Sequence, residues 1–216
     1  MCGRVTLHDV DQMRDFLKQH YQIEHDVFPD LPRYNIAPKQ QLWSIIYDGK
    51  SYRVGQISWG LMIPGKGQQY FNINAKKESL KTYQYFKNLH QKKRALIIVN
   101  GYYEWQDQGD YKQPYYIYHE HDEVMLLAAL WDKNDQGYGV TIMTQTPIDT
   151  LRSIHHRMPI ILDAKQGIEY LKTGQLPEQH SIPLTYHEVS HQVNSTKRDE
   201  ASLINSYDAY QMDGFL

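Results

Sequence analysis

The second residue of the chain, Cys2, carries two nucleophiles once the methionine before it is removed. A small residue at this position lets methionine aminopeptidase remove Met1, which leaves a free α-amine and a free thiol on one cysteine. Their ordinary pKa values, ~7.7–8.0 and ~8.5, keep a useful fraction of each group reactive near neutral pH. An aldehyde is the expected target, because the amine adds as a Schiff base and the thiol then closes a thiazolidine ring. The alternative is that Cys2 stands beside the start codon by accident.

Three polar residues elsewhere are suited to proton transfer or hydrogen bonding. Glu104 follows the apolar run Leu96–Val99 among aromatic residues, and a carboxyl group at a strand end there would have its pKa raised by loss of water. The alternative for Glu104 is an edge position with its carboxylate in water. His155 could donate a proton near neutral pH, or interact with the dipole of a preceding helix. Asn74, taken alone, has the sequence context of a turn residue.

Positive charge is concentrated between Asn74 and Arg94. This stretch has seven basic residues against the single acid Glu78, with tyrosines and a phenylalanine among them. Basic side chains interleaved with aromatic rings are typical of grooves for single-stranded nucleic acid, in which lysines contact phosphates and rings stack on bases. A solvated helix face explains most of these lysines equally well. Farther along the chain, Arg157 adds a guanidinium that can bind a phosphate through two hydrogen bonds.

Residues 187–191 read His-Glu-Val-Ser-His, the pattern of the zinc-binding helix of metalloproteases. The neighbouring residues favour a strand instead, and in a strand two residues four apart are separated by roughly 13 Å, too far for one zinc ion to bridge. We therefore expect no metal site here. With Cys2 as the only cysteine, an internal disulfide and a thiolate-rich metal site are also excluded.

The composition limits the class of protein. The chain has 216 residues, a formal net charge of -2 and a pI of about 6.6, which excludes a polycation that binds DNA over its whole surface. The mean hydropathy is -0.67, and no apolar run approaches the roughly 18 residues that a membrane span needs. The first residues lack the apolar core of a signal peptide. We expect a cytoplasmic protein, associated with the nucleoid when it is on DNA, and no membrane segment.

Patterns of apolar residues predict the elements that position these side chains. The predicted helices are His8–Tyr21, Lys77–Lys93, Pro147–Ile154 and Ala164–Lys172, the last between a cap at Asp163 and a stop at Gly174. The predicted strands are Gly3–Thr6, Leu42–Tyr47, Tyr52–Trp59, Ala95–Val99, Tyr115–His119, Val124–Trp131, Gly139–Thr144 and Leu184–Val189. Together they predict one α+β domain over residues 1–216, built on a mainly antiparallel, barrel-like β-sheet with peripheral helices.

Several separated motifs resemble the SRAP family, the SOS-response-associated peptidase-like proteins. The motifs are Met1-Cys2-Gly3-Arg4, Tyr34-Asn35-Ile36-Ala37-Pro38, Trp59-Gly60-Leu61, Asn74-Ala75-Lys76-Lys77-Glu78, Gly101-Tyr102-Tyr103-Glu104-Trp105, His155-His156-Arg157-Met158-Pro159 and Val193-Asn194. They stand in the family's order and cover almost the whole chain. The resemblance implies a DNA-damage protein that binds single-stranded DNA and crosslinks itself to abasic sites through the N-terminal cysteine. A ring-opened abasic deoxyribose is an aldehyde, the target expected for Cys2.

The resemblance also implies a role for each matched residue. Cys2 is the nucleophile, and Asn74 hydrogen-bonds that nucleophile or the product ring. Glu104 manages protons on the amine and the carbinolamine, while His155 assists opening of the deoxyribose and reversal of the adduct. The DNA-contacting residues implied are Arg4, Lys76, Lys87, Trp105 and Arg157. The implied partner is single-stranded DNA that contains abasic sites, no metal or organic cofactor is required, and we expect a monomer.

Three positions depart from the family's usual pattern. Lys76 stands where arginine is usual, which loses the two-pronged hydrogen bond but keeps the charge. Pro64 is followed by Gly65-Lys66-Gly67 instead of a nearby tryptophan, so an aromatic wedge at a junction between single-stranded and duplex DNA is missing. His156 stands where the family often has Asp or Asn.

Two other functions stay open. One is an N-terminal-nucleophile cysteine peptidase, in which Cys2 attacks a peptide carbonyl, Glu104 and His155 act as base and acid, and the protein removes its own leading residue. The family is credited with such self-processing, so a hydrolase activity would stand beside a lyase-like one. The other is a non-catalytic module that binds single-stranded DNA, for which Cys2 would be dispensable.

Overall fold

The computed structural model describes residues 2–24, 32–134 and 137–207. The strands are β1 Val5–Leu7, β2 Arg33–Ile36, β3 Gln41–Tyr47, β4 Tyr52–Trp59, β5 Leu61–Pro64, β6 Gln69–Asn72, β7 Asn74–Lys76, β8 Arg94–Val99, β9 Gly101–Asp107, β10 Lys112–His119, β11 Met125–Asn134, β12 Gly137–Gln145, β13 Met158–Pro159, β14 Ile161–Leu162 and β15 Leu184–Glu188. The α-helices are α1 Val10–Tyr21, α2 Ser79–Thr82, α3 Gln84–Lys92 and α4 Ala164–Thr173. Single 3-10 turns span Asp149–Leu151, His191–Asn194 and Ala201–Ile204.

Five strands close a barrel in the order β12, β4, β3, β8, β11 and back to β12. The pair of β4 with β12 is parallel, and the other four pairs are antiparallel. The runs Ala95–Val99 and Leu126–Leu130 are almost wholly buried, because the barrel interior covers one face of these strands and helices α3 and α4 cover the other. Closure removes free strand edges. The predicted α+β fold on a mainly antiparallel, barrel-like sheet with peripheral helices is confirmed.

A second, antiparallel sheet carries the amino-terminal segment, with the strand order β15, β10, β9, β1 and β2. Successive residues of β9 face opposite sides of this sheet. Tyr102 belongs to the main core that the sheet shares with the barrel, whereas Tyr103 packs with Tyr116 and Val193 in a smaller cluster on the other side. By the same alternation Glu104 shares the barrel side with Tyr102.

Helices α1 and α4 form close to where the sequence predicts, but α1 begins at Val10 instead of His8 and α4 ends at Thr173 instead of Lys172. The Asp9 carboxylate accepts a hydrogen bond from the Gln12 backbone N–H at 2.9 Å and so caps α1. At α4, Asp163 and Gln166 form a reciprocal capping box, and Gly174 ends the helix with a left-handed φ of 84°. Within the described ranges, the helices are too short and too polar to cross a membrane.

The prediction of one continuous helix over 77–93 is wrong. The backbone of Tyr83 is extended, with φ -115° and ψ 107°, and it separates α2 from α3. The hydroxyl of Tyr83 donates to the carbonyl oxygen of Pro64, and its ring packs edge-on against Phe86 at 5.1 Å between centroids. These two contacts hold the break in place, so tertiary packing overrides the helical spacing of the apolar residues.

The predicted helix Pro147–Ile154 is also wrong, because only the 3-10 turn at residues 149–151 forms. Ile148 occupies the N-cap position of this turn, and no side chain there accepts a hydrogen bond from the backbone of the turn. Gln145 pairs with Met158 across β12 and β13, so residues 146–157 must return the chain to the strand they left. The Ile148 backbone N–H donates to the Met158 sulfur at 3.4 Å. The segment is therefore a folded-back loop, with one helical turn inside it.

Candidate active site around Cys2

Cys2 lies fully buried just before β1, at the place where the two sheets meet. Its backbone carbonyl oxygen accepts a hydrogen bond of 2.8 Å from Nδ2 of Asn74. Burial raises the pKa of the Cys2 thiol well above its usual range, and the nearby Glu104 carboxyl acts in the same direction. The thiol is therefore protonated at neutral pH and must lose its proton during any reaction in which the sulfur forms a bond.

Asn74 begins β7, which pairs in parallel with β12 of the barrel through the neighbours Asn74 and Ile142. The residue is a buried strand residue, 7% exposed, and not the turn residue that its sequence context indicates. Nδ2 bonds to Cys2, while Oδ1 is buried and has no hydrogen-bond partner within the described residues. The amide thus fixes the cysteine backbone and keeps an acceptor available beside it.

Glu104 lies in the middle of β9, opposite Tyr115 of β10, and not at a strand end as the sequence predicts. On its other side β9 pairs with β1 through Val5 and Tyr102, and the Tyr103 N–H donates to the Arg4 carbonyl oxygen at 2.9 Å. Continuing this register brings Glu104 alongside the residues next to Cys2. The side chain is 2% exposed, and burial raises the pKa of the carboxyl to about 7. A group with that pKa can both give and take a proton at neutral pH.

His155 lies in the loop that folds back between β12 and β13. Gln106 of β9 holds this loop by donating from Nε2 to the Ser153 carbonyl oxygen at 2.8 Å. The Arg157 backbone N–H donates to Nδ1 of His155 at 3.0 Å, and the Arg157 carbonyl oxygen lies 3.2 Å from the same nitrogen. The tautomer that accepts the shorter of these bonds carries its proton on Nε2. Burial lowers the pKa of His155 to about 4, so the ring is neutral at pH 7 and presents an N–H donor.

Arg157 is already engaged by protein groups. Its two terminal nitrogens donate to the two carboxylate oxygens of Glu78 at 3.0 and 2.9 Å, and Nη2 also donates to the Thr144 carbonyl oxygen at 2.7 Å. This ion pair lowers the pKa of Glu78. Lys76 pairs with Thr144 in the β7–β12 ladder, and its side chain is exposed. The structure therefore brings Lys76 and Arg157 to one strand end, with Glu78 neutralising the arginine.

Arg4 and Trp105 form a separate cluster on the opposite face of the second sheet. The guanidinium carbon of Arg4 lies 5.7 Å from the centroid of a Trp105 ring, and Nη1 donates to the Val193 carbonyl oxygen at 2.7 Å. The indole N–H of Trp105 donates to Oδ1 of Asn194 at 2.7 Å. Arg4 is 9% exposed, so in this structure it joins β1 to the segment around 193 and offers little surface to a ligand.

Two predicted features lie apart from this site. Lys87 is exposed on α3, a helix that packs on β8 and β11. His187 lies in strand β15, as predicted for the zinc-like pattern, and its Nε2 is 2.8 Å from the Ile204 carbonyl oxygen. No group of three metal-ligating side chains is placed to hold an ion in the part of the chain that the structure describes.

The sequence motifs did not indicate a site role for Tyr102. The residue is fully buried on the barrel side of β9, and charge on Glu104 or Cys2 adds to burial in raising the pKa of its hydroxyl. Strand periodicity could have found it, since residues two apart share a face and Tyr102 stands two before Glu104.

The motifs agree with the comparison to known families. The model of the family described as "SOS response associated peptidase (SRAP)" matches residues 1–196, and this chain therefore belongs to the SRAP family. The chain is similar to "Abasic site processing protein YoaM" of Bacillus subtilis, with 32% identity, 95% of this chain and 98% of the relative covered. It is also similar to "Abasic site processing protein YedK" of Escherichia coli, with 27% identity and coverages of 94% and 99%.

Solved structures share the fold. A protein from Bacteroides thetaiotaomicron superposes with a TM-score of 0.70 at 18% identity, covering 95% of this chain and 98% of its own. A phage-related protein from Bordetella bronchiseptica gives a TM-score of 0.67 at 24% identity, with coverages of 87% and 94%. At these identities the likeness establishes the architecture only.

Proposed function

We propose that the protein recognises abasic sites in single-stranded DNA and joins itself to them covalently, as a thiazolidine formed by Cys2. The observation that carries the proposal is the buried arrangement of Cys2, Asn74 and Glu104, in which the cysteine backbone is fixed and a carboxyl group with a pKa of about 7 lies on the adjacent strand. The relatives YoaM and YedK are named abasic site processing proteins. Removal of Met1 supplies the free amine that this chemistry needs.

The chemistry balances with groups of this chain. The Cys2 amine forms a bond to the aldehyde carbon, the carbonyl electron pair moves to oxygen, and Glu104 transfers the ammonium proton to that oxygen. Glu104 then protonates the carbinolamine hydroxyl, which leaves as water, and takes back the nitrogen proton of the resulting iminium to give the imine. The thiol sulfur attacks the imine carbon, and the thiol proton ends on the nitrogen. The net result is one thiazolidine and one water.

Other residues of the site act on the sugar and the phosphates. Neutral His155 offers its Nε2–H to the sugar oxygens, which helps the deoxyribose ring to open and assists reversal of the adduct. Lys76 binds a flanking phosphate directly. Arg157 binds the next phosphate in exchange for Glu78, since both anions compete for the same two guanidinium N–H groups. Arg4 and Trp105 support β1, and Lys87 contacts DNA only where the strand extends past the site.

The direct test mixes purified protein with a single-stranded oligonucleotide that contains one abasic site, and with the same oligonucleotide undamaged. We expect a heat-stable adduct with the abasic strand alone, whose mass is the sum of the two components minus one water. A protein with a retained or blocked N-terminus should give no adduct, because an amide nitrogen does not form a Schiff base. An adduct formed by the blocked protein would contradict the proposal and indicate a lysine.

Peptide turnover by the same purified protein distinguishes the peptidase alternative from the proposed crosslinking function. A peptidase that uses Cys2 as a thiolate nucleophile needs a lowered thiol pKa, and burial beside Glu104 raises that pKa instead. We therefore expect no repeated turnover of peptides. Multiple turnover of a peptide substrate, with no adduct on abasic DNA, would reverse this conclusion. Binding of the single-stranded oligonucleotide without any adduct on its abasic form would indicate the non-catalytic binding module.

A further inference from the structure

The hydroxyl of Tyr102 is a buried polar group with no assigned role. The side chain is 0% exposed, on the face of β9 that also carries Glu104. Within the described residues its hydroxyl has no hydrogen-bond partner. A buried hydroxyl that has left water without gaining a partner is a net cost to the folded protein, and a bound ligand can supply the partner that the described residues do not.

The adjacent tyrosine shows what a structural hydroxyl looks like here. Tyr103 is equally buried but faces the other side of β9, and its hydroxyl donates to the Tyr34 carbonyl oxygen at 2.8 Å. For packing alone, phenylalanine at position 102 would fill the same space without burying a hydroxyl group. The oxygen of Tyr102 is therefore not explained by the core around it.

A second unpartnered atom borders the same cysteine. Asn74 holds the Cys2 carbonyl through Nδ2, and its own Oδ1 is buried without a partner within the described residues. Tyr102 and Cys2 belong to one contiguous buried cluster. Charge on Glu104 or Cys2 acts on the Tyr102 hydroxyl, so an unpaired donor and an unpaired acceptor, counted within the described residues, both lie near the nucleophile. Burial raises the pKa of Tyr102, so its hydroxyl keeps its proton at neutral pH and is able to donate a hydrogen bond.

We propose that the Tyr102 hydroxyl donates a hydrogen bond to the aldehyde oxygen of the ring-opened abasic deoxyribose and polarises the carbonyl that the Cys2 amine attacks. As the nitrogen–carbon bond forms, the carbonyl electron pair moves to this oxygen, and a fixed donor stabilises the growing negative charge. The oxygen then takes protons by way of Glu104 and leaves as water, while Tyr102 keeps its own proton throughout. This inference rests on the proposed function and adds a substrate-contacting residue to it.

The test compares Tyr102→Phe with Tyr103→Phe, a matched pair that removes one buried hydroxyl from either face of the same strand. For Tyr102→Phe we expect crosslinking to an abasic oligonucleotide to slow by about 10- to 100-fold, since one fixed donor to a developing oxyanion contributes at least this order. Its affinity for undamaged DNA and its thermal midpoint should not fall. Tyr103→Phe should lower the thermal midpoint and crosslink at the wild-type rate.

A second measurement places the hydroxyl at the step of imine formation. In a Cys2→Ser background only the imine forms, and borohydride traps it, so Tyr102→Phe should slow trapping by the same factor. A wild-type crosslinking rate for Tyr102→Phe, or a loss of thermal midpoint equal to that of Tyr103→Phe, would overturn the inference while leaving the proposed function intact. Absence of any adduct with the wild-type protein would overturn the proposed function itself.

Discussion

The side-chain amide of Asn74 and the backbone carbonyl oxygen of Cys2 are joined by a hydrogen bond of 2.8 Å. The bond links the segment before β1, in the second sheet, to β7, which is attached to the barrel through β12. The position of the nucleophile is therefore set by its backbone and by both sheets, and its amine and thiol are the groups that react.

Replacing Asn74 with alanine removes the bond to Cys2 and leaves a buried carbonyl without a donor, a change that costs about 1–3 kcal/mol. We expect Asn74→Ala to crosslink at least about 10-fold more slowly, because the cysteine is no longer held against its partners. The measurement is the adduct-formation rate at saturating DNA. Asn72→Ala is the control, since Asn72 bonds to Thr141 at 2.7 Å and not to Cys2, and an equal loss there would refute the positioning role.

Replacing Cys2 with serine should abolish the heat-stable adduct, because a hydroxyl closes the ring far less readily than a thiol. The amine remains, so the imine should still form and be captured by borohydride. Gel analysis before and after heating, with and without the reductant, separates the two species. A Cys2→Ser adduct as heat-stable as that of the wild type would mean that no thiazolidine forms.

Glu104 makes the stability of the protein depend on pH. Its pKa is raised from an ordinary 4.5 to about 7, so the folded state holds a proton that the unfolded state has already lost between these values. The free energy of unfolding should therefore decrease as the pH rises from about 4.5 to 7, by on the order of 3 kcal/mol in total. Glu104→Gln should lack this decrease, matching the wild type near pH 4 and exceeding it at pH 8 in denaturant titrations.

The same substitution should slow crosslinking without weakening DNA binding. A single proton-transfer group contributes on the order of 10²–10⁴ in rate, and Glu104 is too buried to contact phosphates. Adduct rate and affinity, measured on one oligonucleotide with and without its abasic site, give the two quantities separately. If Glu104→Gln lost affinity in proportion to its crosslinking rate, its assignment to proton transfer would have to be abandoned.

The ion pair of Arg157 with Glu78 should restrain DNA binding. Glu78→Gln removes the competing carboxylate, so we expect this variant to bind undamaged single-stranded DNA more tightly. Arg157→Ala and Lys76→Ala should each weaken the binding of that DNA and reduce the salt dependence of the affinity by about one charge. Fluorescence anisotropy at several salt concentrations measures both effects. Glu169→Gln is the control, because it makes the same charge change on the exposed surface of α4. Equal gains from both variants would show that net charge, not the pair, is responsible.

The sequence alone determined the chemical groups and many of the elements, but it did not predict strands β7 and β9, which carry Asn74 and Glu104. The helix that ends at Tyr21, the cap at Asp163 and the apolar strands of the barrel follow from local signals that the fold does not contradict. Local signals failed at Tyr83, where a contact with Pro64 breaks a helix, and at 147–154, where strand pairing leaves room for one turn only. Both failures arise from contacts with residues outside the predicted helix.

The sequence also supplied Cys2, Asn74, Glu104 and His155 as separate motifs, but only the tertiary structure decided how they relate. Burial set the carboxyl pKa near 7 and the imidazole pKa near 4, because loss of water acts on a side chain only after the chain has folded. Pairing of β1 with β9 and of β7 with β12 brought the cysteine to the carboxyl and the amide. Residue types fix which reactions are available, and long-range packing fixes which atoms meet, since no local pattern records contacts between strands distant in sequence.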